Sequence, residues 1–166
     1  MRTQGTQGVS LIECVNPHTN KWRVRWDVQP TPDKEGKPGT GVNYEEVEFT
    51  HKPSVDEIKK IIVDWHNDKI DNSILKNFVW NGMPVWLSME NQFNYKAAFD
   101  LAAQTSGKSL PITFKFGTDD KPVYHEFKTL EDITDFYVKA VAFKDSVLSE
   151  GWKTKDSFDF SPYMID

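Results

Sequence analysis

The chain has 166 residues, a net charge of −5 and an aromatic content of 13%. That length suits one domain with a substantial core. The charge lacks the basic footprint of a nucleic-acid binder, and the aromatic content argues against wholesale disorder.

A single cysteine, Cys14, excludes an intrachain disulfide and a cysteine-rich zinc site. Its setting in a strand marks it as a small core residue. Residues 1–8 are mostly Gly, Gln and Thr. They carry no apolar signal region and are expected to form a flexible tail. No apolar run approaches the length of a membrane span. The expected product is soluble and cytoplasmic on synthesis, with no membrane partner and no nucleic-acid partner.

The elements follow in chain order. Residues 9–16 read as a strand carrying Val9, Leu11, Ile12 and Val15, and residues 16–20 as a turn. Over 21–29, Trp22, Val24, Trp26 and Val28 alternate with Arg23, Arg25 and Asp27. That period of two predicts a strand buried on one side. Residues 30–41 hold three Pro and three Gly and are expected to form a loop. Residues 43–50 read as a third strand with Tyr44, Val47 and Phe49 as its apolar members.

Ser54 and Glu57 form a capping box that opens a helix. Ile58, Ile61, Ile62 and Trp65 supply its stripe, and it is expected to fade near Asp71–Asn72. Asn81–Gly82 between β-formers predicts a tight hairpin, and Pro84 places its second strand at an edge. Ser88 caps a second helix reaching about Ser106, with Met89, Phe93, Ala97 and Leu101 at steps of four. Residues 110–117 and 123–127 predict another hairpin. Thr129 caps a third helix whose apolar face runs from Leu130 to Leu148, and Gly151 is expected to end it. The predicted class is α+β, with antiparallel β-hairpins alternating with three amphipathic helices (βββ-α-ββ-α-ββ-α). The predicted organisation is a tail at 1–8 and a single domain at 9–166. That domain divides into a β-rich arm (9–50), a helix and hairpin core (54–151) and a C-terminal tail (152–166).

Chemical signatures are sparse. There is no phosphate-cradling G-x-x-x-x-G-K-[ST], no H-E-x-x-H and no G-x-S-x-G. The four histidines are scattered. Asp64, Asp68 and Asp71 share a helix face, but His66 points about 200° from Asp64 on the helical wheel. A small metal-dependent hydrolase built on Asp64, His66 and Asp68 is therefore the weakest functional alternative. Glu45–Glu46 alternate across a strand, and Asp119–Asp120 suit a turn. No catalytic residue, metal site or cofactor is expected. The tryptophans carry more information. Most belong in the core, while Trp80 and Trp86 flank the Asn–Gly hairpin and are candidate stacking residues for a sugar or a peptide.

One stretch supports a family reading. Phe78-Val79-Trp80-Asn81-Gly82-Met83-Pro84-Val85-Trp86 leads into Ser88-Met89-Glu90-Asn91-Gln92 and the Ala-rich helix from Tyr95 to Ala103. Leu110-Pro111-Ile112-Thr113-Phe114-Lys115, Leu130-Glu131-Asp132 and a helix ending in Leu148 follow. Residues 75–150 resemble a domain of unknown function found in bacteriophage tail-fibre and related prophage proteins. The resemblance implies a virion-associated or prophage-encoded structural role and transfers no site residue. The chain has no coiled-coil heptads and no fibrous repeats, so an accessory or assembly protein is expected rather than a fibre shaft. The expected function is thus non-enzymatic, through contacts with other protein subunits such as virion components. The alternative is a carbohydrate- or peptide-binding module that uses an exposed tryptophan.

Overall fold

In the computed structural model, which describes residues 1–32 and 38–164, the α+β class and the hairpins between helices are as predicted. The elements are β1 (Arg2–Thr6), β2 (Ile12–Asn16), β3 (Lys21–Pro32), β4 (Pro38–Phe49), α1 (Val55–Lys76), β5 (Phe78–Trp80), β6 (Met83–Val85), α2 (Met89–Gln104), β7 (Ile112–Gly117), β8 (Pro122–Phe127) and α3 (Leu130–Asp156). Where the sequence suggests one domain, the chain divides into two compact units. Unit 1 comprises Met1–Trp65 and Phe158–Asp166, and unit 2 comprises His66–Ser157.

Unit 1 is a four-stranded antiparallel sheet in the order β1-β4-β3-β2. Its apolar face carries Val24 and Trp26, with Val47 and Phe49 packed alongside. Ile58 and Ile62 of α1 and Tyr163 complete that core. The other face is ionic. Arg25 pairs with Glu46 and Glu13 at 2.7 Å each, and Arg23 with Glu48 at 2.8 Å.

Several sequence expectations for unit 1 are corrected. Residues 2–6 form a strand rather than a flexible tail, since their backbone pairs with β4 from Arg2↔Glu45 to Thr6↔Gly41. Backbone ladders need no apolar side chains, so a Gly/Gln/Thr segment can join a sheet. The expected loop at 30–41 is largely ladder: Pro30, Thr31 and Pro32 of β3 pair with β4, and residues 33–37 lie outside the described residues. The prolines are tolerated because β2 pairs only with residues 21–24 of β3, so β3 is an edge where they sit. Arg25, expected on the solvated face, is only 4% exposed. Val28 turns outward because the pairing shifts between Trp26 and Gln29, where Asp27 has φ of 50°. Tyr44 lies on the Arg25 face, opposite Val47 and Phe49, and its ring sits 5.4 Å under the Arg25 guanidinium. Phe158 and Phe160, in the segment read as a C-terminal tail, pack on the unit 1 core.

Helix α1 opens as its sequence requires. The Glu57 N–H donates to Ser54 Oγ (3.3 Å) and the Ser54 N–H to Glu57 Oε2 (2.8 Å). The Ser54 N–H bond, with further bonds from His51 and the Ser54 hydroxyl, holds the Glu57 carboxyl down at about 2. The helix runs on past Asp71–Asn72 to Lys76, and Ile70 and Ile74, on a different side of the helix from the Ile58–Trp65 stripe, are buried in the unit 2 core.

Unit 2 holds two hairpins, β5–β6 and β7–β8, with α2 and α3. Its core is aromatic: Phe78, Trp80, Tyr95, Phe116, Phe127 and Phe136 are all buried. The Ser88 and Thr129 caps form as predicted, accepting from the N–H groups of Asn91 and Asp132. Gly151 does not end α3, which continues to Asp156. It serves instead as a point of close approach, where a Cβ would lie 2.3 Å from Cγ1 of Ile70.

Candidate binding surface

The two candidate tryptophans are separated by strand alternation. Along β5, Phe78 and Trp80 point inward and Val79 outward. The Asn81–Gly82 turn, with φ of 48° and 76°, reverses the chain so that Trp80 pairs with Met83 and Phe78 with Val85. Val85 is buried, so Pro84 and Trp86 face outward.

Trp80 is therefore corrected from a binding candidate to a core residue. It is 1% exposed, with its ring 4.9 Å from His125 and 5.3 Å from Phe136. Its indole N–H donates to Asp135 Oδ2 at 3.0 Å, so the buried donor is satisfied. Lys139 and then this indole hold the Asp135 carboxyl below its usual range.

Trp86 is 49% exposed and borders a cleft of about 510 Å³. Lys76 reaches it from the end of α1 and Asn91 from α2, with Lys115, Thr118 and Asp119 from β7 and its turn. Asn91 Nδ2 donates to the Trp86 carbonyl at 2.8 Å, fixing the chain at this point. Gly117, at φ of 85°, makes the turn possible: a Cβ there would come 2.3 Å from the Lys121 carbonyl oxygen. An aromatic face beside hydroxyl, amide and charged groups can stack on a flat apolar surface and hydrogen-bond at its rim.

The second feature lies on α2. Met89, Phe93, Ala97 and Leu101 follow the predicted steps of four, yet they form the outer face. Met89 is 87%, Phe93 72% and Leu101 53% exposed, and Ala97 is also exposed. The inner face uses Tyr95 and Ala102, with Ala98 packed alongside. Tyr95 meets Phe114 and Phe136 edge-on, and burial pushes its hydroxyl up to about 12. Beside Phe93, a groove of about 200 Å³ opens against Tyr137 and Val141 of α3.

The remaining candidates do not converge. On α1, His66 is buried whereas Asp64 and Asp68 are exposed, and Asp64 pairs with Lys60. Among the described residues, no group of three or more His, Cys, Asp or Glu is placed to hold a metal ion. Glu46 bonds Arg25 while Glu45 pairs with Arg2 and the N-terminus, so the two carboxylates serve different partners. Cys14 is half-buried opposite Trp22 in the β2–β3 ladder. No helix among the described residues is long and apolar enough to cross a membrane. No family model, curated protein or solved structure matches the chain, so the comparisons add nothing to the resemblance with phage tail-fibre domains.

Proposed function

We propose that the chain is a non-enzymatic protein that acts through contacts with other protein subunits, using the outer face of α2. One observation carries this reading: four apolar side chains in a row, headed by Met89 and Phe93, stand in solvent on a regular helix. Scattered single apolar side chains are ordinary on a surface, whereas a contiguous apolar patch marks an interaction site. The phage or prophage setting rests on the resemblance of residues 75–150 alone, and the non-enzymatic part of the reading on the absence of catalytic motifs from the sequence. A photo-crosslinking residue at position 93, introduced in the native host, is expected to capture a polypeptide. The same residue at exposed position 108 is expected to capture none. Equal yields at the two positions would overturn the reading.

A second reading, a carbohydrate-binding module, is favoured by Trp86. Its half-exposed ring offers a stacking face for a pyranose, and Asn91, Thr118 and Asp119 lie in reach of hydroxyl groups. Titration with a panel of neutral oligosaccharides is expected to shift the Trp86 indole N–H resonance, and Trp86→Ala to abolish binding. A panel with no shifts removes this reading.

A further inference from the structure

We propose that the Trp86 cleft takes an acidic sugar, a pyranose that stacks on the Trp86 indole and presents one carboxylate to Lys76 and Lys115. This rests on the carbohydrate reading of the cleft and names the class of sugar.

The lining holds the groups that a sugar ring requires. Trp86 is 49% exposed, so its indole is open to a stacking ring. Asn91 uses its Nδ2 on the Trp86 carbonyl, and its Oδ1 is left to accept from a hydroxyl. The Thr118 hydroxyl accepts from the Lys121 N–H at 3.2 Å and keeps its own proton to donate. Asp119 offers two carboxylate oxygens to neighbouring hydroxyl groups. The volume of about 510 Å³ falls within the roughly 300–1,000 Å³ of small-molecule sites.

Charge selects the acid. The chain carries −5, yet the cleft lining carries a net positive charge, Lys76 and Lys115 against Asp119. Among the described residues, no ion pair engages either lysine, although Asp119 lines the same cleft. Lysines one helical turn from an acid are bonded to it elsewhere, as Lys60 is to Asp64, Lys96 to Asp100 and Lys139 to Asp135. Across the β7–β8 ladder Lys115 faces Tyr124, which is 69% exposed, so the opposite strand sets no acid against it. Glu126, two positions along β8 on that face, is bonded to Lys128. The cleft is thus a positive place on an acidic chain, and its field favours an anion. One carboxylate per ring balances the lining. A diphosphate or a nucleic-acid strand brings more negative charge than the lining offsets, and among the described residues no arginine lines the cleft to grip phosphate in a fork.

The test follows the Trp86 indole N–H resonance of the full chain during titration with uronic-acid trisaccharides and with sialyllactose, each beside its own methyl ester. The ester keeps the ring and removes the charge, and the arm that binds tightest names the source of the carboxylate. At low salt the acid is expected to bind about tenfold tighter than its ester, since two exposed ion pairs contribute modestly. Salt at about 0.5 M is expected to remove most of that preference by screening. Lys76→Gln combined with Lys115→Gln is expected to bind acid and ester alike. Both lysines are exposed, so its circular dichroism is expected to match the wild type. Lys108→Gln removes the same charge outside the cleft and is expected to keep the preference. Equal affinity of the wild type for acid and ester overturns the proposal, as does a preference that survives the double substitution. A nucleoside monophosphate that binds tighter than every acidic sugar overturns it too. If neutral sugars and esters shift Trp86 and the acids bind no tighter, the acidic class is wrong and the carbohydrate reading stands. If no sugar shifts Trp86, both fall.

Discussion

Replacing Arg25 with alanine is expected to destabilise unit 1 by about 3–5 kcal/mol, the usual cost of removing one partner of a buried ion pair. Arg25 is the hub of the ionic face. Its Nε and Nη1 bond Glu46 and Glu13, and Nη1 also donates to the Ser10 carbonyl at 2.8 Å. Its guanidinium covers the Tyr44 ring. Burial alone would lower the Arg25 pKa; the bonds to Glu13 and Glu46 outweigh it and raise it. Removing the guanidinium leaves the largely covered Glu46 with Arg23 alone, at the longer distance of 3.6 Å, whereas Glu13 can turn to water. The paired change Arg25→Met with Glu46→Leu removes both charges and is expected to recover most of the loss. Denaturant midpoints of the three chains check this. A single mutant as stable as the wild type would show that the ionic face contributes nothing.

Gly151→Ala is expected to destabilise unit 2 by about 1–3 kcal/mol, the range for overpacking a filled site. The sign is the unusual part. In an ordinary helix interior the same change stabilises by about 0.5–1 kcal/mol, because glycine is the poorer helix former. Here the new methyl would meet Cγ1 of Ile70 at 2.3 Å and Cδ1 at 2.6 Å. Cγ1 sits on a β-branched carbon with one preferred rotamer in a helix, so it cannot swing aside cheaply. Ile70→Ala removes both atoms and alone leaves a cavity. Combined with Gly151→Ala, it lets the new methyl fill part of that space. The double mutant is therefore expected to be more stable than the sum of the two single changes. Strict additivity in thermal or urea unfolding would show that the two sites do not touch.

These two residues mark the limit of what the sequence alone discloses. Ser54 with Glu57, Ser88, Thr129 and Asn81–Gly82 were legible because their chemistry is settled within four residues of chain. Gly151 was misread as a stop because a glycine that ends a helix and one that admits a neighbour look alike until Ile70 is in place. Arg25 was misread because strand alternation says which residues share a face. It does not say that Tyr44, Glu46 and Glu13 will gather over that face. Residues 2–6 were missed because their partner is the backbone of β4, some forty residues away. At the candidate surface, Trp80 and Trp86 look equivalent as flanks of one turn. Only the pairing of Phe78 with Val85 shows that one points in and the other out. On α2 the ridge spacing was visible but its direction was not, since Tyr95, Ala98 and Ala102 form a second apolar face on the same helix.

Tyr163 carries a consequence for biosynthesis. Its hydroxyl donates to the Arg25 carbonyl at 2.8 Å, across 138 positions of chain, and its ring is buried with Val24, Trp26, Ile58 and Ile62. On a ribosome, β1 to β4 emerge well before the side chain that completes their core. The contiguous stretch from His66 to Ser157 is available in full before that happens. Folding of the sheet therefore depends on the arrival of residues 158–163, and a nascent chain released short of Tyr163 carries a finished order of strands around an unfinished core.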